Sequence, residues 1–470
     1  MSLQIHREVE HRPESRIDEA IAVLKERYGE RLSTSQAMRD QHGKGEDHHP
    51  VVPPDAVVFP ESTEEVADIV RVCADHKVPI IPFGTGTSLE GHVAALNGGV
   101  CIDVTRMNQV IEVNAEDLDC KVQPGVTRKA LNEYLRDTGL FFPIDPGADA
   151  SLGGMTATRA SGTNAVRYGT MRENVLGLTV VLADGRVIRT ARRARKSSAG
   201  YDLTRLFVGS EGTLGVITEV SLRLFGIPEA TSVSVCNYPS LEAAVNTVIA
   251  TIQSGIPIAR IEIANGIQLK AINLYSKTDF PEEPTLFMEF HGTAAGVQEQ
   301  AEMVKALCDE FGGGEFKWPT SREERSKLWP ARHDAAYAAK SLRQGAEVWA
   351  TDVCVPISRL AECIVETERD LEESDILAPI VGHVGDGNFH MVLIADKNDA
   401  EEMERANGVN QRLVERALAM DGTCTGEHGV GMGKMDFLIA EHGEALSVMR
   451  QIKKSLDPDN LMNPGKILRV

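Results

Sequence analysis

Four glycine-rich segments between residues 82 and 218 constrain the fold more than any other feature of this chain. They read PFGTGTSLEG (82–91), DPGADASLGG (145–154), ASGTNAVRYGT (160–170) and GSEGTLGVIT (209–218), and each also contains Ser, Thr or Asn. Glycine lets a backbone N–H approach a phosphate oxygen closely, although a single loop of this kind is usually only a turn. The series predicts an extended, phosphate-bearing ligand wrapped by the backbone, with crowded turns as the alternative.

Two familiar phosphate-binding motifs do not account for these glycines. After Gly84 and Gly86, the dinucleotide fingerprint requires a third glycine at position 89, which is occupied by Leu89. The segment GVGMGK (429–434) also differs from a P-loop, because its lysine is followed by Met435 and not by Ser or Thr. A Rossmann fold and a P-loop fold are therefore not predicted.

Composition narrows the class of protein further. The 470 residues predict two or three domains, and the net charge of −20 argues against nucleic-acid binding. None of the eight cysteines forms a CxxC pair, which argues against zinc ribbons and iron–sulfur clusters and favours reduced thiols. No apolar run reaches the length of a signal peptide or a membrane-spanning helix. We therefore expect a cytoplasmic protein, with peripheral contact to the inner membrane as the alternative.

The pattern of apolar residues predicts an α+β protein with an irregular order of elements. Amphipathic helices are expected over 14–32 and 62–78, and short strands follow one another between residues 80 and 124. After residue 226 the pattern of apolar residues changes and predicts long helices that alternate with strands. We predict a domain over 1–226, a second over 227–430 and a C-terminal segment over 431–470.

Two histidines flank a Gly-Asp-Gly-Asn turn in GHVGDGNFH (382–390). If Gly385–Asn388 form a four-residue hairpin loop, His383 and His390 are directly opposed on one face of the hairpin. Glu427 offers a third ligand, and two imidazoles with one carboxylate suit a divalent zinc, manganese or iron ion. From the residues alone, two core histidines remain the alternative.

The four glycine segments, in this order, resemble the FAD-binding domain of the vanillyl-alcohol-oxidase (PCMH) type flavoproteins. The closest resemblance is to the FAD-dependent D-2-hydroxyacid dehydrogenases, which include D-lactate dehydrogenases, glycolate oxidase D-subunits and D-2-hydroxyglutarate dehydrogenases, and it runs from HGKGEDHH to LMNPGKIL. It implies a FAD-binding domain of two α+β subdomains and an α+β cap domain whose antiparallel sheet is flanked by helices. The C-terminal segment would return to the FAD domain.

The resemblance also implies the residues that bind FAD. Thr87 stands where some members of the superfamily carry a histidine that links flavin covalently, so we expect non-covalent FAD. The implied cofactor-binding residues are Gly84, Thr85, Gly86, Thr87, Pro146, Gly147, Ala148, Ser151, Ser161, Gly162, Asn164, Gly169, Glu211, Gly212, Ile217 and Asn463.

The resemblance further implies the residues of the reaction. His383, His390 and Glu427 would hold the metal ion, and the neighbouring His428 would be the general base. Arg332, in KLWPARHD, would bind the substrate carboxylate. Ala336 and Ala350 replace polar residues of members that take dicarboxylates, which favours a short or apolar substrate side chain.

The expected reaction is oxidation of a D-lactate-like 2-hydroxy acid to the 2-oxo acid, with hydride transfer to flavin N5. The electrons would pass to a cytochrome, a quinone or an electron-transfer flavoprotein and not to NAD, and a homodimer is a further expectation. The alternatives are a flavin-binding subunit of a multi-subunit glycolate oxidase, a D-2-hydroxyglutarate dehydrogenase, and a metal hydrolase that uses the same three ligands.

Overall fold

The computed structural model describes residues 14–318 and 335–470. Its α-helices are α1 Glu14–Tyr28, α2 Gln36–His42, α3 Thr63–Asp75, α4 Arg128–Leu135, α5 Leu152–Thr158, α6 Ala165–Tyr168, α7 Met171–Asn174, α8 Leu203–Phe207, α9 Leu241–Gln253, α10 Gly266–Ser276, α11 Ala294–Glu310, α12 Ala335–Ala339, α13 Leu360–Ser374, α14 Ala400–Ala419, α15 Phe437–His442 and α16 Ala445–Leu456. Its strands are β1 Leu32–Ser33, β2 Ala56–Val58, β3 Ile80–Phe83, β4 Val100–Asp103, β5 Val110–Asn114, β6 Asp119–Val122, β7 Leu140–Phe141, β8 Val175–Val181, β9 Val187–Arg189, β10 Val216–Arg223, β11 Phe225–Gly226, β12 Ala230–Asn237, β13 Ile258–Ala264, β14 Thr285–Gly292, β15 Glu347–Ala350, β16 Val353–Cys354, β17 Ile380–Gly382 and β18 Asn388–Ala395.

The N-terminal sheet has four strands in the order β1-β2-β4-β3, with β2, β4 and β3 parallel. Helix α3 follows β2 and is capped by Ser62, whose side chain accepts a hydrogen bond from the backbone N–H of Glu65. Apolar residues recur at helical spacing along α3, and Val66, Ile69 and Val70 are fully buried in the core with the sheet. This packing fixes the end of β3, where the first glycine segment begins.

A second, antiparallel sheet has five strands in the order β5-β6-β10-β8-β9. Its core includes the fully buried side chains of Phe142, Leu152 and Phe207. The second glycine segment leads into α5, the third contains α6, and the fourth leads into β10. All four segments therefore lie beside one of these two sheets.

The third sheet is antiparallel, runs β12-β14-β13-β17-β18-β15, and has β16 paired with β18. The largest apolar core lies between this sheet and helices α9, α11, α13 and α14. A smaller core, which includes Leu269 of α10, covers Phe287 and Val392 of the sheet. The predicted α+β fold, with a helix-flanked antiparallel sheet after a FAD-type domain, is confirmed.

The C-terminal segment packs against the N-terminal sheet. The backbone N–H of Ile80 donates to the carbonyl of Leu461, and the N–H of Asn463 donates to the carbonyl of Ile80, both at 2.8 Å. The buried Lys453 side chain donates to the carbonyl of Thr213 at 2.8 Å. The predicted bounds of 1–226, 227–430 and 431–470 stay proposals.

Across residues 14–318 and 335–470, no helix combines the length and the apolar character that crossing a bilayer requires.

Candidate active site

The hairpin of GHVGDGNFH has a different register from the one predicted. His390 pairs with Val381, so the prediction that it lies directly opposite His383 is wrong. A 3₁₀ turn over Val384–Asp386, closed by Gly387 at φ +82°, replaces the four-residue loop. His383 nevertheless reaches the same face, because it lies two residues beyond Val381. The two ring centroids are 5.7 Å apart.

Both imidazoles point at one carboxylate oxygen. Nε2 of His383 lies 3.1 Å from Oε1 of Glu427, and Nε2 of His390 lies 3.3 Å from the same atom. The three ligand atoms lie within 4.8 Å of one another. Glu427, which is 44 residues from His383 in the sequence, is thus brought to the other two predicted metal ligands.

The other nitrogen of each ring has its own acceptor. Nδ1 of His383 lies 2.8 Å from the carboxylate of Glu262, and Nδ1 of His390 lies 2.8 Å from the carbonyl oxygen of Thr351. A proton on each Nδ1 turns the Nε2 lone pair toward Glu427, as metal-binding histidines require. Two imidazole Nε2 atoms that face one carboxylate oxygen need a proton or a metal cation between them, and two imidazoles with one carboxylate are a donor set that fits a divalent metal ion.

The electrostatics of the three ligands are dominated by their mutual contacts. Burial opposes the charged forms, but His383 and His390 hold the pKa of the Glu427 carboxyl well below its usual range. Burial also lowers the pKa of His383, and the carboxylates of Glu262 and Glu427 outweigh it and raise that pKa well above the ordinary value. The ligand set is therefore a tightly coupled cluster of charges in a nearly dry environment.

Asp352 holds the turn that carries Glu427. Its carboxylate is 1% exposed and accepts hydrogen bonds from the backbone N–H groups of Glu427 and His428, both at 2.9 Å. It also accepts from the hydroxyl of Thr425 at 2.7 Å and from the amide of Asn388 at 2.8 Å. One buried anion thus fixes both the third ligand and its neighbour.

His428 has the surroundings of a neutral base. Its ring stacks on that of His390, with centroids 5.0 Å apart and planes at 8°. Its Nδ1 is buried and has no hydrogen-bond partner among the described residues. Burial lowers the pKa of His428, and the nearby Asp352 only partly offsets this effect. An unprotonated imidazole nitrogen beside the predicted metal ligands can accept a proton.

The first glycine segment packs tightly against the second. A Cβ at Gly84 would lie 2.2 Å from the hydroxyl of Ser151, so a larger residue here would displace the Ser151 side chain. The Thr85 hydroxyl accepts from the backbone N–H of Ser151 at 3.3 Å and lies 3.4 Å from that of Thr87. Gly86 adopts φ +69°. The two segments form one cradle of small residues and hydroxyl groups.

This region leaves polar atoms without partners. Among the described residues, buried atoms that lack a hydrogen-bond partner include Oγ of Ser88, Ser151 and Ser210, Nδ1 of His92 and Oδ1 of Asn463. Burying an unpaired polar atom is unfavourable, and a native chain rarely concentrates several of them. They lie in or next to the segments predicted to bind cofactor. A large polar ligand such as FAD fits this set.

Several predicted cofactor residues are engaged by the protein itself. The side chain of Asn164 donates to the carbonyl of Pro143 and accepts from Arg260. The carboxylate of Glu211 accepts from the backbone N–H groups of Val430 and Gly431 at 2.7 and 2.8 Å. These side chains order the loops, and their contact with cofactor stays a prediction.

The remaining predicted cofactor residues lie in the same four segments. Gly162, Gly169 and Gly212 have positive φ, and a Cβ at Gly212 would lie 2.9 Å from Pro82. Ser161 and Ile217 are buried, whereas Gly147 is exposed and has open space around it. Pro146 and Ala148, two predicted cofactor residues of the second segment, are partly exposed.

Two contributors were not predicted as site residues. Glu262, fully buried in β13, supports His383, and Asp352 supports the turn of Glu427. A signal was present for both, because Glu262 stands between two isoleucines in a predicted strand and Asp352 directly precedes the apolar run VCV. Arg332 and the side chain of Ala336 lie outside the described residues. Ala350 is the last residue of β15, immediately before Thr351.

The fold and the sequence have known counterparts. The structure matches p-cresol methylhydroxylase with a TM-score of 0.79 at 18% identity, over 96% of this chain and 97% of that protein. This likeness defines the fold as that of the PCMH-type flavoproteins. Residues 54–191 match the FAD binding domain family, and residues 227–467 match the C-terminal domain of the FAD linked oxidases. The chain therefore belongs to the FAD-linked oxidases, and it is an FAD-dependent oxidoreductase.

Two relatives span nearly the whole chain. "Probable D-lactate dehydrogenase, mitochondrial" of Danio rerio is 55% identical, covering 94% of this chain and 90% of the relative. "D-lactate dehydrogenase [cytochrome], mitochondrial" of Arabidopsis thaliana is 49% identical, covering 96% of this chain and 80% of the relative. Both are described as mitochondrial, so the prediction of a cytoplasmic location is wrong. The comparison points to mitochondria instead.

Proposed function

We propose that the protein oxidises D-lactate, or a D-2-hydroxy acid with a similarly short or apolar side chain, to the 2-oxo acid. The observation that carries this proposal is the arrangement around Glu427. Two imidazole Nε2 atoms face its Oε1 at 3.1 and 3.3 Å, next to the unpartnered Nδ1 of His428. The kinship with D-lactate dehydrogenases supports the choice of substrate.

In this proposal His383, His390 and Glu427 hold a divalent zinc, manganese or iron ion. When bound, the ion would polarise the substrate hydroxyl, and non-covalent FAD would accept the hydride at N5. Glu262 and Thr351 keep the Nδ1 protons of the two histidines away from the ligand side. Arg332, outside the described residues, is proposed to bind the substrate carboxylate.

His428 is the proposed general base. Oxidation of an alcohol requires loss of the hydroxyl proton as the hydride leaves carbon, and Nδ1 of His428 is free to take it. Asp352 holds the backbone of His428 in place through its N–H. The stacked ring of His390 limits rotation of the His428 ring and thereby keeps the base beside the ligand set.

The acceptor of the electrons is proposed to be a cytochrome. The Arabidopsis relative is described as a D-lactate dehydrogenase of the cytochrome type, whereas the chain has no dinucleotide fingerprint for NAD. Anaerobically reduced protein should transfer electrons to a cytochrome in a stopped-flow experiment and should leave NAD unreduced. NAD reduction by lactate would contradict this part of the proposal.

The central experiment is anaerobic mixing of the purified flavoprotein with D-lactate and with L-lactate. We expect D-lactate to bleach the flavin absorbance and L-lactate to leave it unchanged. If no short D-2-hydroxy acid bleaches the flavin, the proposed substrate class is wrong.

The metal is tested on the same protein. We expect metal-free protein, verified by elemental analysis, to keep its flavin but to be bleached far more slowly, with recovery on addition of Zn²⁺ or Mn²⁺. His390→Asn should lose the metal, whereas the matched control His442→Asn, a partly exposed position, should retain it. Equal bleaching rates with and without metal would remove the metal from the mechanism.

A further inference from the structure

Strand β13 contacts both halves of the proposed site. Residues 260 and 262 lie two positions apart, so their side chains leave the strand on the same face. Arg260 contacts the FAD-side segments, and Glu262 contacts the metal ligand His383. The position of this strand therefore affects both the predicted cofactor loops and the predicted metal site.

Arg260 connects the strand to two of the glycine segments. Its Nε donates to Oδ1 of Asn164 at 2.8 Å, and its Nη2 lies 3.2 Å from the carboxylate of Asp145. The same Asp145 accepts from the hydroxyl of Thr163 at 2.7 Å and from the backbone N–H of Asn164 at 3.1 Å. The arginine is mostly buried, so these charged contacts are shielded from solvent.

Glu262 connects the same strand to the metal hairpin. Both of its oxygens lie within hydrogen-bond distance of Nδ1 of His383, at 2.8 and 2.9 Å, and its side chain is completely buried. A carboxylate in this position fixes the tautomer and the orientation of a ligating histidine. The hairpin turn also abuts the FAD side, since a Cβ at Gly385 would lie 2.7 Å from Val166 of α6.

We propose that Arg260 and Glu262 are a pair of positioning residues that set the metal site at a fixed distance from the flavin. The proposal rests on the proposed function. Arg260 aligns the cofactor loops with strand β13, and Glu262 aligns His383 with the same strand. Hydride transfer requires the donor carbon and the flavin to be close and well oriented, so an error at either contact slows reduction.

The test measures two affinities besides activity. Zn²⁺ affinity is measured by competition with a chelator, and FAD affinity by the fluorescence released on dissociation. Glu262→Leu should weaken Zn²⁺ binding about 10- to 100-fold. Glu262→Gln should weaken it less, because its amide oxygen can still accept from His383. The exposed Glu116→Gln is the matched control.

The arginine is tested in parallel. Arg260→Met should weaken FAD binding roughly tenfold, the size of one charged hydrogen bond, and leave Zn²⁺ affinity within about twofold. Arg260→Lys should recover part of the lost FAD affinity, since lysine keeps the positive charge but lacks the planar guanidinium that contacts Asn164 and Asp145 together. The exposed Arg192→Met is the control. With FAD and Zn²⁺ saturating, both Arg260→Met and Glu262→Leu should still reduce flavin more slowly.

The outcomes separate the inference from the proposed function. If the wild-type protein binds no Zn²⁺ at the site, the proposed metal function fails. If it binds Zn²⁺ but Glu262→Leu binds it equally well, the inference is overturned. It is also overturned if the variants lower only the free energy of unfolding and leave both affinities and the saturated reduction rate unchanged.

Discussion

Asp352→Asn tests how the site is built, because one buried carboxylate supports four donors. Its Oδ2 accepts from the Thr425 hydroxyl and from the backbone N–H groups of Glu427 and His428, and its Oδ1 accepts from the Asn388 amide. Asparagine has only one acceptor oxygen. If that oxygen faces the three donors, its own NH₂ group meets the Asn388 NH₂ group, so at least one donor loses its acceptor.

The magnitude follows from these contacts. Hydrogen bonds to a charged group contribute about 1.5–3 kcal/mol and neutral ones about 0.5–1.5 kcal/mol, so three weakened bonds and one lost bond sum to roughly 5 kcal/mol. Burying a neutral amide costs less than burying a carboxylate, which offsets part of this loss. We expect the free energy of unfolding to fall by about 2–4 kcal/mol.

The assay is urea unfolding of metal-free wild-type and variant protein at neutral pH, so that metal loss does not contribute. The exposed Asp117, paired with Arg193 at the surface, provides the control Asp117→Asn, which should change the unfolding free energy by less than about 0.5 kcal/mol. The difference for Asp352→Asn should stay constant between about pH 7.5 and 9, because the pKa of Asp352 lies well below its ordinary value and the pKa of the neighbouring His428 is also lowered. A variant as stable as the wild type would refute the assigned role.

Three further predictions concern the base, the cofactor loop and a buried lysine. His428→Asn should lower the flavin reduction rate about 10²- to 10⁴-fold in stopped-flow measurements with FAD content unchanged, and a normal rate would exclude it as the base. Gly84→Ala should lower the flavin-to-protein ratio, because its Cβ would lie 2.2 Å from the Ser151 hydroxyl and would displace that side chain from the predicted cofactor cradle. Gly226→Ala, with open space around it, is the control, and full flavin content in Gly84→Ala would contradict the predicted cradle. Burial lowers the pKa of Lys466 to about 8 in the folded protein. Between about pH 8 and 10.4 the unfolded chain therefore binds more protons than the folded protein. The free energy of unfolding of the wild type, relative to that of Lys466→Met, should rise across this window by roughly 3 kcal/mol. A difference between the two proteins that does not change with pH would show that Lys466 is not perturbed.

The sequence predicted the fold class, and the three residues it predicted as metal ligands lie together in the structure. Glycine spacing and the positions of acidic and imidazole side chains can be read directly from the sequence, whereas the binding of cofactor by the four segments stays a prediction. The prediction of the hairpin register failed, since the 3₁₀ turn before Gly387 depends on how the hairpin packs against β13 and α6. Glu262 is 121 residues from His383 in the sequence, and only the folded sheet brings them together.

Two buried carboxylates hold the short run from Glu427 to Gly431 from opposite ends. Asp352, from the cap side, accepts from the backbone N–H groups of Glu427 and His428. Glu211, from the fourth glycine segment, accepts from the backbone N–H groups of Val430 and Gly431, which follow His428 after one intervening residue. The short run that holds the proposed ligand and base is therefore attached at one end to the connection between β15 and β16 and at the other to the fourth glycine segment. Because each attachment uses a charged, nearly solvent-free acceptor, a shift of either attached segment would cost hydrogen bonds at this run and would move the proposed ligand Glu427 with it.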